Sequence, residues 1–274
     1  MNRIDTTLAR LRESGKKALV PYIVAGDPAL DVTLPTLHAL VKAGADIIEL
    51  GVPFSDPMAE GPVIQKGHER ALANGMSLRG ALRLVEQFRA VDQQTPIVLM
   101  GYANPIEKMG YEKFAEAAKA AGVDGVLTVD LPPEEARELN THLAARGIVD
   151  IFLIAPTTTT ARVKMIVALA SGYLYYVSLK GVTGAGHLDV ASVDKKMKEI
   201  KSLTNLPVCV GFGIKDADSA RAVSQMADGV VVGSVLVAKM ADCQSSGEHD
   251  PNVIAGQVSA IIAAIRSAID QDNG

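Results

Sequence analysis

Short runs of branched aliphatic residues recur along the whole chain, each separated from the next by a stretch with helical spacing of its apolar positions. The runs occupy 18–25, 46–52, 96–102, 125–130, 149–155, 174–179, 207–213 and 229–233. Most are apolar throughout rather than alternating, the pattern of parallel strands covered on both faces. Ser77 is placed to cap a helix carrying Leu78, Leu82, Val85 and Phe88 on one stripe. Pro132-Pro133-Glu134-Glu135 is expected to open another, with Ala136, Leu139 and Leu143 inward and Gly147 at its close. Asp216 or Asp218 starts a short helix before Gly229. The segment 253–269 reads as a strongly striped final helix, 3–11 as an extra helix ahead of the first strand, and 244–252 as a polar surface loop. Strand–helix units repeated over roughly 250 residues have the size and rhythm of a (β/α)8 TIM barrel. An open doubly wound sheet is the alternative, but the early strands lack the Gly-x-Gly-x-x-Gly of a dinucleotide fold. With no linker or break in composition, residues 1–274 are expected to form one catalytic domain.

Composition narrows the function. Aromatic residues make up only 4% and tryptophan is absent, so the core must be aliphatic. The 27 Lys and Arg against 31 Asp and Glu give a formal charge of −4 with no basic run, which argues against nucleic-acid binding. The two cysteines, Cys209 and Cys243, form no disulfide framework, and Cys209 lies in an apolar run as a small core residue. No signal-peptide pattern is visible at Met1–Thr6 and no apolar stretch is expected to reach membrane-spanning length, so a soluble cytoplasmic protein is expected.

The chemistry is expected at the C-terminal ends of the strands. Glu49 follows Ile47-Ile48 at the end of a run that otherwise reads as buried, and a charge there is costly unless paired or used. The proline- and glycine-broken loop after it brings in Asp56 and Glu60, so acids from a strand end and its loop can face one cavity. Read alone, such a loop is an ordinary surface turn; the position of Glu49 argues against that. The later strand ends carry Tyr102 with Asn104, Asp130, Ala155, and glycine-rich turns: 181–186 with Thr183 and Gly184, then Gly211 and Gly213, then Gly233-Ser234 leading into a helical run. Glycines admit close approach of backbone N–H groups and a helix N-terminus favours an anion, so these turns suit a phosphate. Any one of them alone would more simply end a strand. Lys180 and Lys215 lie near them as solvated cations.

Glu-Leu-Gly-Val-Pro-Phe-Ser-Asp-Pro at 49–57 resembles the signature of the tryptophan synthase α subunit family. The likeness continues in order through Gly61-Pro62-Val63-Ile64-Gln65, Tyr102-Ala103-Asn104-Pro105, Asp130-Leu131-Pro132, Ala155-Pro156-Thr157-Thr158, Gly181-Val182-Thr183-Gly184, Gly211-Phe212-Gly213-Ile214 and Gly233-Ser234. The resemblance implies a (β/α)8 barrel that cleaves indole-3-glycerol phosphate to indole and glyceraldehyde 3-phosphate. It also implies a β-subunit partner in an α2β2 heterotetramer, which receives the indole through a tunnel. Pyridoxal phosphate belongs to that partner, so this chain should need no cofactor or metal, and its five histidines include no His-x-x-x-His pair.

By the same resemblance Glu49 moves the protons of a retro-aldol cleavage, with a pKa raised by desolvation at a half-buried strand end. A second carboxylate accepts the indole N–H, where the family has aspartate and this chain has Glu60. Tyr22, Tyr102, Leu127, Leu153, Tyr175, Thr183 and Phe212 are expected around the substrate, and Gly184, Gly211, Gly213, Gly233 and Ser234 around its phosphate. Thr183 is placed to bond Glu60 when its loop closes. Asp56 reads as a loop-ordering or partner-contact residue, and His187 and Asp189 as solvated loop. Tyr22 stands where the family usually has an apolar aromatic, and Lys180 closes a Ser178-Leu179-Lys180 segment where the family more often has arginine after the serine. Two competing readings are a catalytically weak barrel kept to bind and activate the β subunit, and another phosphate-sugar barrel enzyme. The latter needs a catalytic lysine or a cysteine–aspartate pair. Cys209 lies inside a strand, and only Lys180 and Lys215 are near strand ends.

Overall fold

The computed structural model describes residues 2–177, 190–211 and 213–271. Parallel strands β1 (Ala18–Val24), β2 (Ile48–Gly51), β3 (Ile97–Gly101), β4 (Gly125–Thr128), β5 (Val149–Ile154), β6 (Leu174–Val177), β7 (Val208–Gly211) and β8 (Gly229–Val232) pair in chain order, and β8 returns to β1. The sheet is therefore a closed barrel, and the open doubly wound alternative is excluded. All of the expected strands form, most of them shorter by a residue or two at their ends. Asp46 lies outside β2 because its carboxylate accepts the Leu19 N–H at 3.0 Å and takes Arg266 Nη1 at the same distance.

Register fixes which side chains fill the barrel. Tyr22 pairs with Glu49, Glu49 with Val98, and Leu127 with Met100 and Ile151. Further round, Leu153 pairs with Tyr175 and Tyr175 with Cys209. Strand neighbours in register point to the same face, and residues two apart share it. Tyr22, Glu49, Leu127, Leu153, Tyr173, Tyr175 and Cys209 therefore share the interior.

Helices cover the outside. Ser77 caps Leu78–Arg89, accepting the Gly80 N–H, and Asp216 forms a capping box with Ser219 ahead of Ala217–Ser224. The helix expected from Pro132 starts later, at Arg137: the Pro132 carbonyl takes the N–H groups of both Glu135 and Ala136, closing a tight turn first. Gly147, at φ +69°, does follow its close. The loop expected over 244–252 is only 246–250, because Ser234–Ser245 and Pro251–Asp270 extend into it. The N-terminal helix, Arg3–Glu13, closes the bottom of the barrel. Its Ile4 lies against Gly125 and Gly172, and Asn2 Nδ2 donates to the carbonyls of Asp124 and Gly147, both at 2.8 Å.

The final helix corrects one expectation. Pro251–Asp270 is long and apolar enough, by length and composition, to cross a bilayer. Here it packs against Thr33–Lys42, Ala217–Ser224 and Ser234–Ser245, burying Ile254, Val258, Ile262, Ile265 and Ile269 in the helical layer.

Candidate active site

Glu49 sits inside the barrel with no exposed surface, deeper than the half-buried place expected from sequence. Its Oε1 accepts the Tyr173 phenol at 2.6 Å, and its Oε2 has no partner among the described residues. Burial pushes its pKa up to about 8; the Tyr173 hydrogen bond opposes the rise and the charge of Glu60 adds to it. Glu49 is therefore a neutral acid at pH 7. Tyr173 has the same period-two relation to Tyr175 that places both inside the barrel, a signal the sequence carried unread.

Glu60 ends the loop between β2 and the helix Pro62–Ala73. The loop is held at several points. Val52 N–H bonds Met100 O at 2.8 Å, Phe54 stacks on Tyr102 with centroids 5.0 Å apart, and Ala59 N–H reaches the Tyr102 hydroxyl at 3.3 Å. The Glu60 N–H bonds Pro57 O, and Gln65 Nε2 donates to the Glu60 carbonyl at 2.9 Å. The residue is 4% exposed, no described residue donates to its carboxylate, and its oxygens, unlike Glu49 Oε2, are not sealed from solvent. Burial pushes its pKa up to about 7. Glu49 adds nothing to that rise because it is still protonated where Glu60 titrates.

Two tyrosine rings share the barrel interior with Glu49. The Tyr175 hydroxyl lies against Gly211 so closely that a Cβ there would overlap it, and the Tyr22 hydroxyl lies likewise against Gly51. A Cβ at Gly233 would come within 3.2 Å of the Tyr22 ring. An aromatic neighbour thus favours glycine strongly at 211 and more weakly at 233, apart from any role toward phosphate. Gly213, at φ +78°, follows β7 and is exposed. Gly233-Ser234 follows β8 and opens the helix Ser234–Ser245, which no side chain caps. Since β7 and β8 are neighbours, these turns lie side by side on the rim.

Leu127 is fully buried and Leu153 half-buried, both inward. Tyr102 is buried at the end of β3. Asp56 stands apart: it is exposed in the loop and accepts from Ser55 Oγ at 2.5 Å, so it does not share the cavity with the other acids. Thr183, Gly184 and Phe212, with Ser178-Leu179-Lys180, His187 and Asp189, lie outside the described residues. Among the described residues no three His, Cys, Asp or Glu side chains converge as metal ligands. His68, not singled out from sequence, joins the wall: Phe54 N–H donates to its Nδ1 and its Nε2 lies 3.1 Å from the Tyr22 hydroxyl. Its sequence signal was a polar residue on the buried stripe Ile64, Gly67, His68, Ala71.

An acid held neutral, beside a second acid whose pKa burial raises, among inward Tyr and Leu side chains, can protonate an aromatic carbon and accept an aromatic N–H. Comparison with known proteins points the same way. A family profile described as Tryptophan synthase alpha chain matches residues 8–265. The chain is 54% identical to the tryptophan synthase alpha chain of Laribacter hongkongensis, covering 98% of this chain and 100% of that one. Among solved structures it resembles tryptophan synthase subunit alpha from Legionella pneumophila, with a TM-score of 0.90, 45% identity and 99% of each chain covered. It also resembles a chain of the tryptophan synthase complex from Pyrococcus furiosus, with a TM-score of 0.77, 39% identity, and 89% of this chain and 97% of that chain covered.

Proposed function

The chain belongs to the tryptophan synthase alpha chain family, and from that premise we propose how its own residues divide the reaction. The protein is a carbon–carbon lyase that cleaves indole-3-glycerol phosphate to indole and glyceraldehyde 3-phosphate in tryptophan biosynthesis. Residues 1–274 act as one catalytic domain. Tyr173 occupies Oε1 of Glu49, so Oε2 carries the proton. It protonates the ring carbon that bears the glycerol chain. Glu60 accepts a hydrogen bond from the ring N–H and stabilises the positive charge that develops there. The Glu49 carboxylate left behind then takes the proton of the adjacent hydroxyl. The carbon–carbon bond breaks as the aldehyde forms, the electron pair returns to the ring, and Glu49 is protonated again for the next turnover.

Tyr22, Tyr102, Leu127, Leu153 and Tyr175, with Thr183 and Phe212, surround the heterocycle. The rim amides of Gly184, Gly211, Gly213 and Gly233, with Ser234, hold the phosphate; the uncapped helix start at Ser234 supports this. Proton transfers alone complete the cleavage, so the chain itself needs no metal or cofactor, and pyridoxal phosphate stays with the partner. That partner is a β subunit in an α2β2 assembly, a reading supported by the Pyrococcus furiosus complex. The exposed Asp56–Met58 loop beside the cavity is the surface that would feel it. The location is cytoplasmic.

One observation carries the reading: a wholly buried Glu49, kept neutral, with one oxygen held by a phenol and the other unspent. A scaffold kept only to activate a partner has no use for such a costly arrangement. Steady-state cleavage by Glu60→Gln and Glu60→Asp tests the second acid. Loss of about 10²-fold or more in kcat is expected for Glu60→Gln, and a native rate would remove Glu60 from the mechanism.

A further inference from the structure

Tyr22 and His68 form a buried pair that the proposed reaction does not use. His68 is 2% exposed and Tyr22 3% exposed. Because the Phe54 N–H donates to His68 Nδ1, that nitrogen is unprotonated. Burial holds the imidazole pKa down to about 4, so the ring is neutral at pH 7 and its single proton is on Nε2. Nε2 therefore donates to the Tyr22 hydroxyl, and the phenolic hydrogen of Tyr22 is left without an acceptor among the described residues. A buried hydroxyl that accepts but does not donate is half satisfied, and that is costly.

Glu60 is among the charges that act on Tyr22. It is 4% exposed and no described residue donates to its carboxylate, whose oxygens, unlike Glu49 Oε2, are not sealed from solvent. The relay joins the elements that flank it: the loop through Phe54, the helix Pro62–Ala73 through His68, and β1 through Tyr22. Arg70 on the same helix grips Asp27 with two bonds of 2.6 and 2.9 Å, fixing the helix to the loop after β1. The titratable groups facing Glu60 are Tyr22 from β1, Glu49 from β2, Tyr102 from the end of β3 and Tyr175 from β6. Glu49 is an acid. The Tyr102 oxygen accepts the Ala59 backbone N–H at 3.3 Å, and the Tyr175 hydroxyl lies against Gly211 as that of Tyr22 lies against Gly51. Tyr22 differs in being held from behind, at 3.1 Å, by a side chain that is itself bonded to the loop.

We propose that Tyr22, oriented by His68, donates its phenolic hydrogen to the Glu60 carboxylate when the substrate ring N–H draws that side chain into the cavity, making His68 a positioning residue for recognition of the heterocycle. The inference rests on the assignment of Glu60 above. It gives this chain a reason for carrying a hydroxyl at position 22 together with a longer acid at position 60: the extra methylene brings the carboxylate within reach of a donor.

The pH profile of kcat for indole-3-glycerol phosphate cleavage, which reports the substrate-bound enzyme, tests it in Tyr22→Phe, His68→Leu, the double variant and Glu60→Gln. A donor favours the ionised acid, so its loss raises the Glu60 pKa. Tyr22→Phe is expected to move the acid limb up by about one pH unit, with about tenfold lower activity below the limb. The basic limb, set by Glu49, stays in place. His68→Leu gives the same shift and the double variant gives no more than either. An acid limb that stays put in Tyr22→Phe or in folded His68→Leu overturns the proposal, whatever happens to thermal stability. If His68→Leu does not fold, nitrogen NMR of the native protein decides its role: a proton on Nδ1 overturns the relay, and one on Nε2 supports it. Native turnover by Glu60→Gln would instead sink the Glu60 assignment and this inference with it; a crippled Glu60→Gln beside an unmoved Tyr22→Phe limb sinks only the inference.

Discussion

Replacing Glu49 by Gln should make the protein more stable and nearly inactive, and the stability gain should depend on pH in a defined way. The folded-state pKa of about 8 stands against an ordinary 4.5. A group whose pKa is raised on folding contributes in full below its unfolded value and loses that contribution as pH rises toward the folded value. For Glu49 the loss runs from pH 4.5 to about 8. At pH 7 the unfolded chain is ionised and the folded chain is not, a penalty of about 3 kcal/mol for a fully buried group. Glutamine has no such titration, and its carbonyl oxygen can accept the Tyr173 phenol as Oε1 does. Urea unfolding of both proteins should therefore nearly coincide near pH 4.5. The variant should lead by about 3 kcal/mol at pH 7 and by somewhat more, about 5, at pH 9. Its kcat should fall by about 10²–10⁴-fold, the usual worth of a positioned proton donor. If the stability difference is the same at every pH, or the native protein is the more stable at pH 9, then Glu49 is not held neutral and the proton-donor argument fails.

Tyr173→Phe removes the hydrogen bond that favours ionised Glu49. The Glu49 pKa should rise above about 8 and carry the basic limb of the kcat–pH profile upward; an unmoved limb would show that the phenol does not tune the acid. At the other end of the barrel, Asp124 takes Arg89 at 2.6 Å, Arg3 at 2.9 Å and the Ile97 N–H at 2.9 Å. Asp124→Ala leaves the buried Arg89 unpaired and should cost about 3–5 kcal/mol in urea unfolding, with kcat of the folded enzyme unchanged. A loss below about 1 kcal/mol would mean the cluster holds nothing together.

The sequence showed the barrel because each strand is apolar on both faces, a property of residues taken one at a time. Strand ends were less legible, because a strand stops where pairing stops: Asp46 is excluded by its own carboxylate bonding back to Leu19. The turn at Pro132 was misread because two prolines followed by acids suit a helix start and a tight turn equally. Glu49 was visible as a charge in a run that otherwise reads as buried, and Glu60 as an acid in the loop after it. His68 was visible only as a polar residue on a buried stripe, since its meaning lies in partners 14 and 46 residues away. Gly211 could be seen to admit close approach, but not that the Tyr175 ring is what approaches; Gly51, which meets the Tyr22 hydroxyl in the same way, carried no such reading.

The acids of the barrel fall into two kinds that sequence alone treats alike. Asp46, Asp124 and Asp228 precede β2, β4 and β8, each at the end of an Ala-Asp or Val-Asp step. Each accepts the backbone N–H of another strand's first residues (Leu19, Ile97 and Val208) and each meets a cation: Arg266, Arg89 or Lys201. Their charge is used to lock neighbouring strands together at the bottom. Glu49 and Glu60, at the top, meet no cation among the described residues, and burial drives them toward their neutral forms. The end of a strand does not settle the role alone: Asp27, after β1, is paired with Arg70, and Asp150, near the start of β5, is buried without a described cation and its pKa is pushed up to about 7. Mutation should read the two kinds with opposite signs. Neutralising Asp46 or Asp124 strips a partner from a buried arginine and lowers stability while leaving chemistry alone. Neutralising Glu49 relieves an unpaired buried acid and abolishes chemistry, because the energy stored in its desolvation is what keeps a proton available at neutral pH.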